Sequence, residues 1–415
     1  TCALPISDDA EIILFNLENL LKNKYYFRVR GKVFMNLSIF TRFSFGIVAV
    51  FLIVASSPIF ATAGAKIKID DTKYFQIGMG LRASVSNNEN NATNAGEDSF
   101  DTSLDNMRLY TVSQVHKNIQ VEFNTDLSGD SVNLLDAVAK IDFGFFDLWV
   151  GRQLPPSDRS NLDGPYYLNA AYSYPIVQSF GNLGVFAGRD NGFAFHGDVA
   201  GGKFEWAYGV FEGTSGGSDV DDSVRHTGRI DIALGDAEPG FYTGSTYFGA
   251  KQLTTLGISV HHEEDAVGTA ADKGDFSGIG ADILIERTIS GGAVLNLEGA
   301  YYDWDLDDKS GHTGDYTTNL LQGDSYLILA SYLMPDKTSI GGIQGQLQPY
   351  FRYQSYDRDQ TNASGSRGTK DRTEAGLNYV IDGFNAKITA LWYVDTDHDN
   401  TVDKNTAMLA MQFQL

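Results

Sequence analysis

The chain has 415 residues and a formal net charge of −22, from 53 acidic against 31 basic side chains; such an excess repels nucleic acid, and no basic patch opposes it. The only cysteine is Cys2, which excludes disulfides, thiolate nucleophiles, cysteine zinc sites and covalent haem attachment from everything downstream. The 44 glycines, 26 phenylalanines and 21 tyrosines beside only 9 prolines suit many strands joined by tight turns.

Residues 1–34 precede the first methionine, Met35, and share no pattern with the rest of the chain; they read as an upstream extension outside the fold. A secretory signal is expected over residues 35–65. Arg42 supplies its positive region, Phe43 to Val54 its apolar region, and Ala61-Thr62-Ala63 or Ala63-Gly64-Ala65 its small-residue cleavage site. The apolar run falls short of the roughly 20 residues of a membrane helix and breaks at Ser56-Ser57-Pro58. Residues 66–415 then form one domain.

In that domain no stretch sustains a 3.6-residue apolar period, whereas alternation with period two recurs about sixteen times. In the first instance Phe75, Ile77, Met79, Leu81, Ala83 and Val85 share one face, and Gln76, Gly78, Gly80, Arg82 and Ser84 the other. Further strands are expected near residues 105–115, 119–126, 135–141 and 146–152.

From Gly151 to Arg189 the alternation stops. Pro155, Pro156, Pro165 and Pro175 lack the donor that a central strand needs. Tyr166, Tyr167, Tyr172, Tyr174, Ile176, Val177 and Phe180 make the segment too apolar for a solvated tether, and loops of this length are uncommon unless functional. We read it as a loop folded into a pore; the alternative is a lid packed on the outside of a globular domain.

Alternation then resumes near 190–199, 203–211, 224–234, 256–262, 276–287, 293–303, 325–333, 347–356, 372–381, 386–395 and 406–415. Short turns such as His116-Lys117-Asn118 and Ser290-Gly291-Gly292 take turns with long polar loops such as 87–100, 212–223 and 303–324. A transmembrane antiparallel β-barrel, here of 16 strands, predicts this asymmetry; a soluble sandwich does not. Trp206, Tyr208, Tyr301 and Trp392 fit aromatic girdles. Pro349 is a misfit inside a predicted strand, tolerable only at a bulge or rim.

With the apolar face in lipid, the polar face lines a water-filled lumen. It carries Arg82, Arg108, Arg225, Arg229, Arg352 and Lys387, interspersed with Glu122, Asp231, Asp282 and Glu374, while Arg152, Arg159 and Arg189 lie at or within the long loop. Fixed positive charge in a narrow passage concentrates anions, whereas acidic outer loops repel them. Alternatively the arginines and acids pair across neighbouring strands as a structural ladder.

Several runs, YFQIGMGLRASVS, LDAVAKIDFGFFDLWVGRQLPPS, GRDNGFAFHGDV with KFEWAYGVFEG, and QPYFRYQSYD, resemble the phosphate-selective porin O and P family of Gram-negative outer membranes. The resemblance spans roughly residues 70–415. It implies a sixteen-stranded barrel in the bacterial outer membrane, commonly a homotrimer, whose third outer loop narrows the pore and which favours passive uptake of anions. The family's phosphate-binding residues are not matched one by one. TAMLAMQFQL resembles the terminal barrel-assembly signal but ends in Leu415 rather than an aromatic residue.

Three motifs are weaker. Gly213-Thr214-Ser215-Gly216-Gly217 matches a nucleophile elbow without its strand-to-helix context, and His261-His262-Glu263-Glu264 lacks the helical spacing of a zinc hydrolase. Asp395, Asp397, Asp399 and Asp403 approximate a calcium loop, yet Asn400 stands for its glycine and Thr406 for its closing glutamate. The expected function is a diffusion porin for small hydrophilic solutes, anions such as phosphate among them, needing no cofactor and catalysing no reaction. The runner-up is the barrel sheath of a porin–cytochrome electron conduit.

Overall fold

The computed structural model describes residues 64–92, 96–128, 131–171, 174, 176–177, 188–213, 222–238, 240–307, 322–358, 369–398 and 402–415, together with two short strands near the start of the chain. Those two, Tyr26–Val29 and Lys32–Asn36, form an antiparallel hairpin within a unit spanning Thr1–Val54. The rest of the expected extension and nearly all of the expected signal segment lie outside the described residues.

The second unit, Ala55–Leu415, is a closed antiparallel barrel of sixteen long strands. In chain order they are β1 (Tyr74–Asn88), β2 (Ser99–His116), β3 (Ile119–Ser128), β4 (Ser131–Asp142), β5 (Asp147–Gln153), β6 (Asp190–Val199), β7 (Phe204–Phe211) and β8 (Arg225–Ala233). The second half comprises β9 (Leu253–Thr269), β10 (Asp272–Thr288), β11 (Val294–Asp305), β12 (Gly323–Leu333), β13 (Ile343–Arg358), β14 (Lys370–Asp382), β15 (Ala386–Asp397) and β16 (Val402–Gln414). Each pairs with its sequence neighbour, and β16 closes on β1, with Leu409 opposite Val85 and Gln414 opposite Gly80. The terminal Leu415 completes the seam: its N–H donates to the Met79 carbonyl at 2.8 Å and its carbonyl accepts from the Met79 N–H at 2.9 Å.

Two short strands sit outside this count. Ala65–Lys68 folds back on the start of β1, and Lys337–Ile340 on the start of β13. The latter explains Pro349. Pairing of β13 with β12 begins at Tyr350, and its pairing with Lys337–Ile340 ends at Gln346, so Pro349 falls in the gap between them and has no ladder partner on that edge.

Alternation sets the faces. Met79, Leu81, Phe123, Ile230, Ile258, Ile328, Phe351 and Leu377 point outward and are exposed, whereas Arg82, Glu122, Asp282, Glu374 and Asn378 point inward and are buried. This is the inverse of a water-soluble protein, and it makes the outer surface a solute of lipid. The girdle aromatics Trp206, Tyr208, Tyr301 and Trp392 all face outward, Tyr301 directly opposite Tyr326. One strand departs from the scheme. In β12, Tyr326 and Ile328 face out while Leu327 and Leu329 are buried inside, so it is apolar on both faces and something must cover the inner one.

The belt gives a depth-dependent expectation. Ile258→Arg, near mid-strand, should destabilise the barrel by about 2–4 kcal/mol, and Val132→Arg at the outer end of β4 by about 0–1 kcal/mol, read from reversible unfolding in lipid vesicles. Equal costs at the two positions would contradict the membrane placement.

Candidate functional site: the packed lumen

The long loop enters the barrel at Leu154, where Pro155 and Pro156 end β5. Asp158 caps a single helical turn, α1 (Arg159–Leu162), accepting from the Asn161 N–H at 3.1 Å. That turn aims Arg159 at the wall formed by β8 to β10. Its Nη1 and Nη2 donate to Glu238 at 2.9 and 2.5 Å, and its Nε to Asp282 Oδ1 at 3.3 Å. Asp282 is shared: Arg229 Nη1 and Nη2 reach it at 2.7 and 3.0 Å from β8, across the whole width of β9. Gly257 permits this crossing, because a Cβ there would lie 2.2 Å from Arg229 Nη2 and 2.5 Å from Asp282 Oδ1. Burial opposes the charge on Arg159, but Glu238 and Asp282 outweigh it and hold the guanidinium well above its ordinary pKa. Burial likewise raises Glu238, and the paired Arg159 outweighs it, leaving that carboxylate below its usual range.

Glu238 belongs to an inner connection, residues 234–252, that rises into the lumen from the opposite end. The two segments meet there. The Thr243 hydroxyl donates to Asp163, the Ser245 N–H to the Tyr167 carbonyl at 2.9 Å, and the Asn169 N–H to Ser245 Oγ at 2.7 Å. Tyr174 Oη lies 2.7 Å from Glu298 and 3.2 Å from Asp163. Burial and the negative charge of Glu298 push Asp163 well above the carboxylate range, against the opposing pull of Arg159 and the Thr243 hydroxyl.

Toward the seam the anchors are neutral or singly charged. Lys387 Nζ donates to the Leu168 and Ala170 carbonyls at 2.7 and 3.2 Å, Asn378 Nδ2 to the Asn169 carbonyl at 2.6 Å, and Gln412 Nε2 to the Tyr166 carbonyl at 2.8 Å. The Tyr166 ring lies against Gly80, where a Cβ would come within 2.7 Å of it. Between the two anchored sides Leu168, Ala170, Tyr174 and Val177 join Phe276, Tyr302, Trp304, Leu327, Leu329 and Tyr350 in one buried apolar cluster. This cluster is the cover that the inner face of β12 requires.

The arginines expected to line the pore occupy this lumen with one exception, and they are partnered. Arg108 pairs with Asp126, Arg189 with Asp136, Arg225 with Glu263, Arg229 with Asp231 and Asp282, and Arg352 with Glu374. Arg82 donates to Asn106 Oδ1 at 3.4 Å. Arg108–Asp126, Arg225–Glu263 and Arg352–Glu374 pair across neighbouring strands, whereas Arg229 pairs within its own strand and across β9, and Arg159 and Arg189 pair from the loop. Arg152 is the exception: it stands opposite Ala137 and Asn191, on the outward face with Val150 and Phe193, so it does not line the lumen. At a strand end its charge reaches the headgroup zone while its stem covers apolar surface.

The described members of the calcium-loop set are not brought together. Asp395 and Asp397 lie in β15 and point inward, Asp395 held by Arg372 at 2.5 and 2.6 Å, whereas Asp403 points outward and accepts from Thr396. Alternation splits the set, Asp399 lies outside the described residues, and no metal-competent group of three acidic, histidine or cysteine residues occurs among the described ones. The His261-His262-Glu263-Glu264 run is a stretch of β9, with His261 and Glu263 inside and His262 and Glu264 outside. Of the elbow motif only Gly213 is described. Sequence reasoning missed residues 234–252, whose signal was available: Phe241, Tyr242, Tyr247 and Phe248 are too many aromatics for a plain inner turn.

Comparison with known proteins agrees with this geometry at the level of fold. No family model matches the chain. An uncharacterized protein of Aquifex aeolicus (strain VF5) is 24% identical over 250 residues, 54% of this chain; the match spans 53% of that protein, about half its length. Among solved structures, the anion-selective porin from Comamonas acidovorans superposes with a TM-score of 0.54 at 12% identity, covering 83% of this chain and 100% of that one. The outer membrane channel DcaP of Acinetobacter baumannii gives 0.52 at 12%, covering 85% and 100%. The chain thus has the fold of the porins of the bacterial outer membrane. The likeness to the O and P family rests on short runs such as YFQIGMGLRASVS and QPYFRYQSYD.

Arg159 is the joint between loop, inner segment and wall. Arg159→Ala leaves Glu238 without its guanidinium partner and should destabilise the barrel by about 3–5 kcal/mol, the cost of breaking a buried pair on one side. Unfolding measured beside an Asn91→Ala control on an outer connection checks this.

Proposed function

We propose that this protein is an outer-membrane porin through which small hydrophilic solutes diffuse passively, with the loop and residues 234–252 together setting the width of the passage. The reading rests on one observation: a closed, lipid-compatible barrel whose interior is narrowed by its own chain. A sheath for a cytochrome would need that interior for its guest, and here Arg159, Asn169 and Tyr174 occupy it. Planar-bilayer recording tests the proposal. Deleting residues 160–179 should raise single-channel conductance several-fold while the barrel still folds, because its ladder closes without them. Unchanged conductance would remove the loop from the passage.

Within this reading the solutes are anions, phosphate among them, and the preference is modest. Pairing neutralises most of the guanidinium charge, but Lys387 is held by two carbonyl oxygens rather than by a carboxylate. Buried under the loop, a cation there acts on an ion in the lumen through a low dielectric, whereas charges at the mouth are screened beyond about 8 Å in physiological salt. The anion selectivity of the Comamonas porin favours the same assignment. Lys387→Gln should shift the zero-current potential in a salt gradient toward cation preference; a wild-type channel already preferring potassium to chloride would overturn the anion assignment and leave the porin one standing.

We further assign a homotrimer. An open concavity of about 680 Å³ on the outer face of β14 to β16 and β1 is floored by Ala375, Ala390 and Ala407 and rimmed by Phe100, Leu377, Trp392 and Leu409. Small residues on an outer wall let another protein surface approach closely. Ala390→Trp should convert trimer to monomer in native gels without changing folding yield.

A further inference from the structure

The two outward histidines of β8 and β9 form a pair that nothing in the porin reading uses. His226 and His262 stand directly opposite each other in the ladder, on the outer face. Directly opposed side chains on one face have Cβ atoms about 4.5–5.5 Å apart. Each ring is fixed by a neighbour on its far side. In β7, Tyr208 holds His226: its Oη is 2.7 Å from Nδ1 and its ring lies at 24° to the imidazole. In β10, Ser277, the residue opposite His262, places Oγ 3.0 Å from that ring's Nδ1. The strand order is β7-β8-β9-β10. Both Nδ1 atoms therefore turn away from the pair, and the Nε2 edges turn inward across the gap between β8 and β9.

A hydroxyl can accept as well as donate, so each Nδ1 can carry the proton and leave Nε2 with its lone pair. Hydrogen bonding of one ring nitrogen to orient the other is how ligating histidines are held. The pair lies further along the barrel axis than Tyr208, toward the outer rim, and so beyond the outer aromatic girdle. There an ion can keep water or take a headgroup oxygen in its remaining positions.

We propose that His226 and His262 bind a divalent transition metal of the imidazole-preferring class, zinc or copper, through their two Nε2 atoms on the outer rim of the barrel. The site is two-coordinate from the protein and open on the headgroup side. Affinity for nitrogen ligands rises from nickel to copper, so copper should bind more tightly than nickel.

The test uses the refolded full chain in detergent micelles and zinc or copper ions alone, titrated calorimetrically. Wild type should take up one ion per chain. His226→Ala and His262→Ala should each weaken binding at least tenfold and the double variant should abolish it, while His116→Ala, at the exposed inner end of β2, leaves it unchanged. Tyr208→Phe should weaken binding several-fold at unchanged stoichiometry, since it removes only the orienting hydroxyl. Folding of each variant is read from heat-modifiable gel mobility. No uptake by folded wild type, or uptake that survives in the folded double variant, would overturn the proposal.

Discussion

Everything in this molecule depends on the closure of one ladder. In hydrocarbon an unpaired backbone N–H or C=O costs several kcal/mol, so a sheet can enter a membrane only if its first strand finds its last. Here β16 meets β1 over Thr406 to Gln414, and Leu415 extends the seam by two more bonds to Met79. With all staves closed, the outer side chains need only be apolar. The inner ones are freed from any fixed requirement, and the chain fills that interior with itself.

The filling is of two kinds, and they are spatially sorted. On the β8 to β10 wall the loop is tied by charge, through Arg159, Glu238, Asp282 and Arg229. On the β10 to β13 wall it is tied by apolar contact, through Tyr302, Trp304, Leu327 and Leu329. Charges so deeply buried contribute little net stability once desolvation is counted, but removing one partner is costly, so they fix a position more than they add energy. Apolar contact supplies the energy without fixing register. Together they hold in place the described part of a proline-rich segment, among whose described residues one turn of helix forms.

Much of this was legible in the sequence, because period-two alternation survives any uncertainty in register. All the long strands were located, their ends shifting outward by a few residues where polar flanks such as Ser99 to Asn106 continue the ladder beyond the apolar belt. The partners of the arginines were not legible. Arg229 and Asp282 are joined across an intervening strand through the space above Gly257, a relation that exists only once three strands are in register. Arg152 departs from the expected lumen position because a charge near a strand end can also face outward, its stem lying on apolar surface. The inner connection over residues 234–252 is marked in the sequence by its aromatic content alone, against the short inner turns usual in such barrels.

The sorting of anchors also ranks the ways in which the interior could open. Releasing the loop from β8 to β10 would strand the buried carboxylates of Glu238 and Asp282, each of which loses a charged partner. Releasing it from β14 to β16 would break the hydrogen bonds of Asn378 and Gln412 and the two from Lys387, all of them to backbone carbonyls. The neutral bonds of Asn378 and Gln412 are worth about 1 kcal/mol each and those of the Lys387 ammonium about 1.5–3 kcal/mol, less than the cost of stranding a buried carboxylate. The seam side is therefore the more weakly held edge of the plug. That edge runs between Tyr166 and the wall that carries Gly80, Arg82 and Gln412, where the tyrosine ring fills the space left by the missing side chain of Gly80.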